Sequence, residues 1–162
     1  RLDAERLLAL RPDLVIAWGD GTPAEQLALV RRLGVRSLAM QQNALADVPA
    51  AVAQLLFGVP YLWGGNSVLG LDCSGLVQAA WLAAGRACPG DSDLQRALGG
   101  EAQGPARRGD LLFWPGHVAI AVDGETLIHA NAHRMAVSYE GIAQAEARIR
   151  AQEGAGVIAR RR

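Results

Sequence analysis

The chain has 162 residues with 16 basic and 16 acidic side chains, so its formal net charge is zero. Hydrophobic residues make up 51% and charged residues 20%, a globular balance with enough apolar material for a real core. A net charge of zero does not favour nucleic acid or an anionic membrane as partner, and no run approaches the roughly 20 apolar residues that span a bilayer. All 16 basic residues are arginine, which reads as a coding bias. Two cysteines, Cys73 and Cys88, are too few for a disulfide scaffold. The start, Arg1-Leu2-Asp3, has neither an initiating Met nor a secretory pattern, so a piece of a longer protein or a mature product is expected.

The N-terminal third alternates helix and strand. Asp3 to Leu10 has a short helical pattern with an acidic start, and Pro12-Asp13 ends it. Leu14 to Trp18 is a continuous apolar run, as in a buried parallel strand. Gly19-Asp20-Gly21 is a turn, and Thr22-Pro23 supplies an N-cap and an N1 proline for a helix to about Leu33. Gly34 stops that helix, and Val35 to Met40 is a second strand, giving one βαβ unit. Ala44 to Leu56 is a further helix, with Pro49 near its start. The run from Glu5 to Trp18, followed by helix, Leu-Gly and strand, resembles part of a periplasmic binding protein of the cobalamin or iron-siderophore class.

Composition shifts at about Leu56. Aromatics and glycines cluster in Tyr61-Leu62-Trp63-Gly64-Gly65, and Leu71-Asp72-Cys73-Ser74-Gly75 leads into an apolar helix that Gly85 stops. Four short strands follow, over Leu111–Trp114, His117–Val122, Thr126–Ala130 and Met135–Tyr139, as an antiparallel meander. Gly141 to Gln152 is a helix, and Val157-Ile158-Ala159 is a candidate closing strand.

Cys73 stands where a glycine-rich loop becomes a helix, a place whose unpaired N–H groups favour thiolate over thiol. His117 begins one strand and His129 ends the next, so a hairpin brings both imidazoles to the same end. One can take the thiol proton while the other orients it. Two histidines and a cysteine are also a ligand set for zinc, but no CxxC or HxxxH spacing accompanies them. His133 is expected to be exposed, Cys88 a spare thiol, Asp110 a turn residue and Arg160-Arg161-Arg162 a solvated end.

Tyr61-Leu62-Trp63-Gly64-Gly65, Asp72 to Gln78, Arg108 to Trp114, Gly116 to Ala119 and Leu127 to Ala130 resemble the successive motifs of the NlpC family of cell-wall cysteine peptidases. The resemblance implies an α+β class with a papain-like core over residues 57–162, preceded by a βαβ segment over 1–56. It implies hydrolysis of peptidoglycan stem peptides at the D-γ-glutamyl-diamino acid bond, without a cofactor or metal. By position Cys73 is the implied nucleophile, His117 the base, His129 the orienting residue and Tyr61 an oxyanion partner. Asp72, Ser74, Asp91 and Ser92 are the implied substrate contacts, with Asp91-Ser92 reading a free N-terminal L-Ala amine. The implied setting is a bacterial envelope or periplasm, with cytoplasm as the alternative; the chain leaves its oligomeric state open. A contrasting reading is a cobalamin- or siderophore-binding fragment carrying an inert peptidase-like domain.

Overall fold

A computed structural model describes residues 4–12, 15–18, 23–35, 37–40 and 47–162. The chain divides into two compact units, Arg1–Asn43 and Ala44–Arg162. In the first, helix α1 (Ala4–Leu10) precedes strand β1 (Val15–Trp18), helix α2 (Ala24–Arg32) and strand β2 (Ser37–Met40). The two strands pair in parallel with Val15 opposite Ser37, completing the expected βαβ order. Val30 is the buried residue of α2. The expected turn at 19–21, the Thr22 cap and the helix start at Ala44 lie outside the described residues.

The second unit opens with helix α3 (Val48–Leu55), which carries Pro49 in its first turn, where a missing N–H costs nothing. Its place corrects the boundary expected at residue 56. The helix buries Ala50 and Ala53 in the same apolar cluster as Leu76, Val77 and Trp81, so it belongs with the C-terminal unit. A short hairpin of β3 (Asn66–Ser67) and β4 (Gly70–Leu71) then leads into helix α4 (Cys73–Ala83) and the single turn α5 (Ser92–Gln95).

Five strands follow: β5 (Leu111–Trp114), β6 (His117–Ala121), β7 (Thr126–Asn131), β8 (Ala136–Gly141) and β9 (Ala159–Arg161), with helix α6 (Ile142–Glu153) before the last. They form one antiparallel sheet in the order β8-β7-β6-β5-β9. Both faces of the sheet are covered, which is why Leu111-Leu112-Phe113-Trp114 is apolar throughout and does not alternate. Leu111 and Phe113 face α3 and α4, together with Val118, Ile120 and Ile128. Leu112 and Trp114 face α6, together with Ala119, Ala121, Leu127, Ala145 and Ile149. The β6–β7 turn is locked by Asp123, whose Oδ1 accepts from Glu125 N (2.8 Å) and Thr126 N (2.7 Å).

The chain end also departs from expectation. Arg160 and Arg161 lie in β9, and the edge strand pairs Leu111 with Arg161. Asp110 is fully buried and is no mere turn residue. Its carboxylate accepts from Arg162 through Nε (2.7 Å) and Nη2 (2.8 Å), and from the Arg107 N–H (3.0 Å). A buried carboxylate requires such partners, and they pin β9 to the sheet.

Candidate active site

The site is assembled at the start of α4. Asp72 is its N-cap, with Oδ1 accepting from Gly75 N (2.7 Å) and from Ser74 Oγ (3.0 Å). Its other oxygen accepts from Gly64 N (2.8 Å), and Asp72 N donates to Gly65 O (3.0 Å). One carboxylate therefore ties the Tyr61–Gly65 loop to the first turn of the helix. Gly75 is required here, because a Cβ at that position would lie 2.1 Å from Gly65 O. Asp72 and Ser74, expected as substrate contacts, are committed to this internal network. Gln95, fully buried, braces the same turn from α5: its Nε2 donates to Ser74 O (2.9 Å) and Pro89 O (2.9 Å).

Cys73 is thereby placed as the first residue of α4, with Sγ 3.9 Å from Gly116 O. It lines a cavity of about 340 Å³ together with Tyr61, Trp63, His117, Asn131, His133 and Arg148. Burial and the Asp72 charge push its thiol above the ordinary value, against the pull of the Val118, Ser74 and Cys73 N–H groups. This corrects the expectation that the helix start alone favours thiolate. The N–H groups act in the expected direction, but desolvation of a buried sulfur outweighs them.

His117 and His129 lie two residues from Ala119 and Leu127 on their strands and so share their face, the α6 side of the sheet. His117 Nε2 lies 2.8 Å from His129 Nδ1, which leaves His117 Nδ1 as the ring nitrogen free for a reacting group. Burial lowers the His117 imidazole to about 4 and the fully buried His129 to about 3. Both rings are therefore neutral near pH 7. A neutral imidazole and an un-ionised thiol lining one cavity form an arrangement that can work as a general-base pair.

Tyr61 is half-buried in the cavity wall, and burial with the Cys73 and Asp72 charges raises its phenol, so it remains a donor. Asp91 is the exposed N-cap residue of α5 and makes no side-chain capping bond; Ser92 is the first residue of that turn. Neither is among the residues lining the Cys73 cavity. His133, although exposed as expected, does line it. Cys88 stands apart: its thiol is pushed up to about 11, chiefly by burial.

Three residues near the histidines carried no motif signal. Glu140 Oε2 lies 3.1 Å from His129 Nε2. Arg148 of α6 donates to both Glu140 oxygens, through Nε (3.0 Å) and Nη2 (2.7 Å). Asn131 Nδ2 donates to Ser138 Oγ (2.9 Å), and its Oδ1 accepts from Arg134 N (2.8 Å), shaping the β7–β8 turn at the cavity rim. With both ring nitrogens of His129 facing protein partners, the zinc arrangement of Cys73, His117 and His129 loses a ligand.

A helix-start cysteine packed on an antiparallel sheet that carries paired histidines defines a papain-like cysteine hydrolase fold. The NlpC/P60 family model matches residues 58–151, more than half of the chain, and the chain belongs to that family. It is 33% identical over 99 residues to a gamma-D-glutamyl-L-lysine dipeptidyl-peptidase of Bacillus subtilis, covering 56% of this chain and 33% of that protein. The crystal structure of the NlpC/p60 domain of the peptidoglycan hydrolase SagA is 36% identical with a TM-score of 0.56, covering 61% of this chain and 91% of that one. The binding-protein resemblance has a counterpart in a vitamin B12-binding protein of Pectobacterium carotovorum, 35% identical over 54 residues, a third of this chain and 20% of that protein. The chain spans about a third or less of the length of the curated peptidases it matches.

Proposed function

We propose that the second unit is a cysteine peptidase of bacterial cell-wall stem peptides, cleaving the bond between D-γ-glutamyl and a diamino acid in the cell envelope. The observation that carries this reading is the shared cavity of Cys73 and His117, with His117 Nε2 held 2.8 Å from His129. The likeness to a γ-glutamyl-lysine dipeptidyl-peptidase and to a peptidoglycan hydrolase domain supports the substrate class.

In this mechanism Cys73 Sγ attacks the γ-carbonyl carbon as its proton passes to His117 Nδ1. The carbonyl oxygen becomes an oxyanion, facing the Tyr61 hydroxyl and the Cys73 backbone N–H. The C–N bond breaks, and the leaving amine takes the proton from the imidazolium. Water, deprotonated by His117, then hydrolyses the thioester and frees Cys73. Asp91, with Ser92, recognises the ammonium of an N-terminal L-Ala by a charge-assisted contact. The residues contacting substrate are accordingly Cys73, His117 and Tyr61 at the scissile bond, and Asp91 and Ser92 at the amine.

The test is a matched pair of substrates, L-Ala-γ-D-Glu-diaminopimelate and its N-acetylated form, followed by mass spectrometry. Cleavage of the free-amine peptide, lost in Cys73→Ala, supports the peptidase. Loss of the free-amine preference in Asp91→Asn supports the amine contact, whereas equal cleavage of both peptides by the unaltered protein refutes it. The carrier reading rests on a likeness covering a fifth of a vitamin B12-binding protein.

A further inference from the structure

The histidine pair performs base chemistry only if its protons sit on the correct nitrogens, and neither imidazole decides that by itself. If His117 is to accept the thiol proton at Nδ1, its own proton must be on Nε2. That N–H then donates to His129 Nδ1, so His129 must carry its single proton on Nε2. The reverse assignment, with protons on the two Nδ1 atoms, also satisfies the 2.8 Å contact but leaves His117 Nδ1 without a lone pair to offer the cavity it shares with Cys73. Something beyond His129 has to distinguish the two.

The group in position to do so is Glu140. On β8, Ser138 is directly opposite His129, and Glu140 is its neighbour two residues along on the same face. Its Oε2 comes within 3.1 Å of His129 Nε2, which has no other polar partner and is fully buried. The approach lies off the N–H axis, so it is a charge contact and not an aligned hydrogen bond. Even so, a carboxylate oxygen at that distance attracts an N–H and repels a lone pair. Arg148 holds both Glu140 oxygens, which keeps the carboxylate ionised and stationary. Arg148 is itself anchored one turn along α6 through Nη1 to Gln152 Oε1 (3.3 Å).

We propose that Glu140, clamped by Arg148, is a positioning residue that sets the tautomers of His129 and His117, so that the His117 Nδ1 lone pair faces Cys73. This rests on the cysteine-peptidase reading of the site and extends its relay by two residues. The neutral state of both rings agrees with a relay of single protons and not of imidazolium ions.

The experiment is ¹⁵N NMR of histidine-labelled full chain at pH 7, read without substrate, because ring-nitrogen shifts distinguish Nδ1–H from Nε2–H. The expected result is Nε2–H for both His117 and His129. Nδ1–H at His129 in the unaltered protein overturns the proposal without recourse to any variant. Glu140→Gln should scramble the tautomers and lower kcat tenfold or more with KM within twofold. The paired change Glu140→Leu with Arg148→Leu, which leaves no orphan charge on α6, should scramble them likewise. Unchanged tautomers in both variants also overturn it. If the tautomers respond as stated while no stem peptide is cut by the unaltered protein, the relay stands and the substrate assignment falls.

Discussion

Replacing Asp72 by alanine tests how the nucleophile is held. The carboxylate accepts from Gly75 N, Ser74 Oγ and Gly64 N. Loss of an N-cap acceptor costs about 1 kcal/mol, with a range to about 2. The Ser74 hydroxyl, left without its acceptor in a buried residue, adds roughly 1 kcal/mol. Gly64 is exposed, so water replaces that bond at little cost. The expected sum is about 2–3 kcal/mol off the stability of the second unit. Asp72→Asn, which retains an Oδ1 acceptor for Gly75, should lose less than half of that. The same substitution removes a negative charge that raises the Cys73 thiol, so the pH midpoint of Cys73 alkylation should move down even as the fold weakens. Urea unfolding and iodoacetamide labelling against pH read the two effects separately. An alanine variant within about 0.5 kcal/mol of the parent refutes the capping role, and a midpoint that rises refutes the electrostatic one.

Cys73→Ala should abolish hydrolysis with an unchanged circular dichroism spectrum, while Cys88→Ala should be nearly silent in a peptide-cleavage assay. His129→Ala should slow turnover less than His117→Ala in that assay, because the base remains. Gly75→Ala should destabilise by about 1–3 kcal/mol in urea, since a Cβ 2.1 Å from the Gly65 carbonyl outweighs the gain of up to ~1 kcal/mol in helix propensity. The second unit should lose stability as pH falls from about 6.5 toward 4. His117 and His129 are lowered to about 4 and 3, so the unfolded chain takes up protons first, and Glu140, held low by Arg148, acts in the same direction. Greater urea resistance at pH 4.5 than at pH 7 would contradict this sign.

Much of the candidate site is legible in the sequence because its signals are local. A glycine-rich loop running into an apolar helix places Cys73 at a helix start within a dozen residues, while the cap that Asp72 forms there came from the structure. A tight turn between two short strands brings His117 and His129 together without knowledge of the remaining fold. The meander over 111–139 and the helix after it follow for the same reason, each depending on neighbours in the chain. Residues whose meaning comes from docking are a different matter. Glu140 and Arg148 read as ordinary charges on an edge strand and an amphipathic helix, and the packing of α6 across the sheet makes them a clamp behind His129. Asp110 and Arg162, 52 residues apart, become partners once β9 joins β5. Gln95 becomes a brace once α5 folds back on α4. The protonation of the site belongs with these: the helix start argues for an acidic thiol, whereas the desolvation that raises it exists only when the sheet and two helices close around Cys73. Short-range pattern decided which candidate groups meet, and the long-range burial of polar groups decided the surroundings in which they titrate.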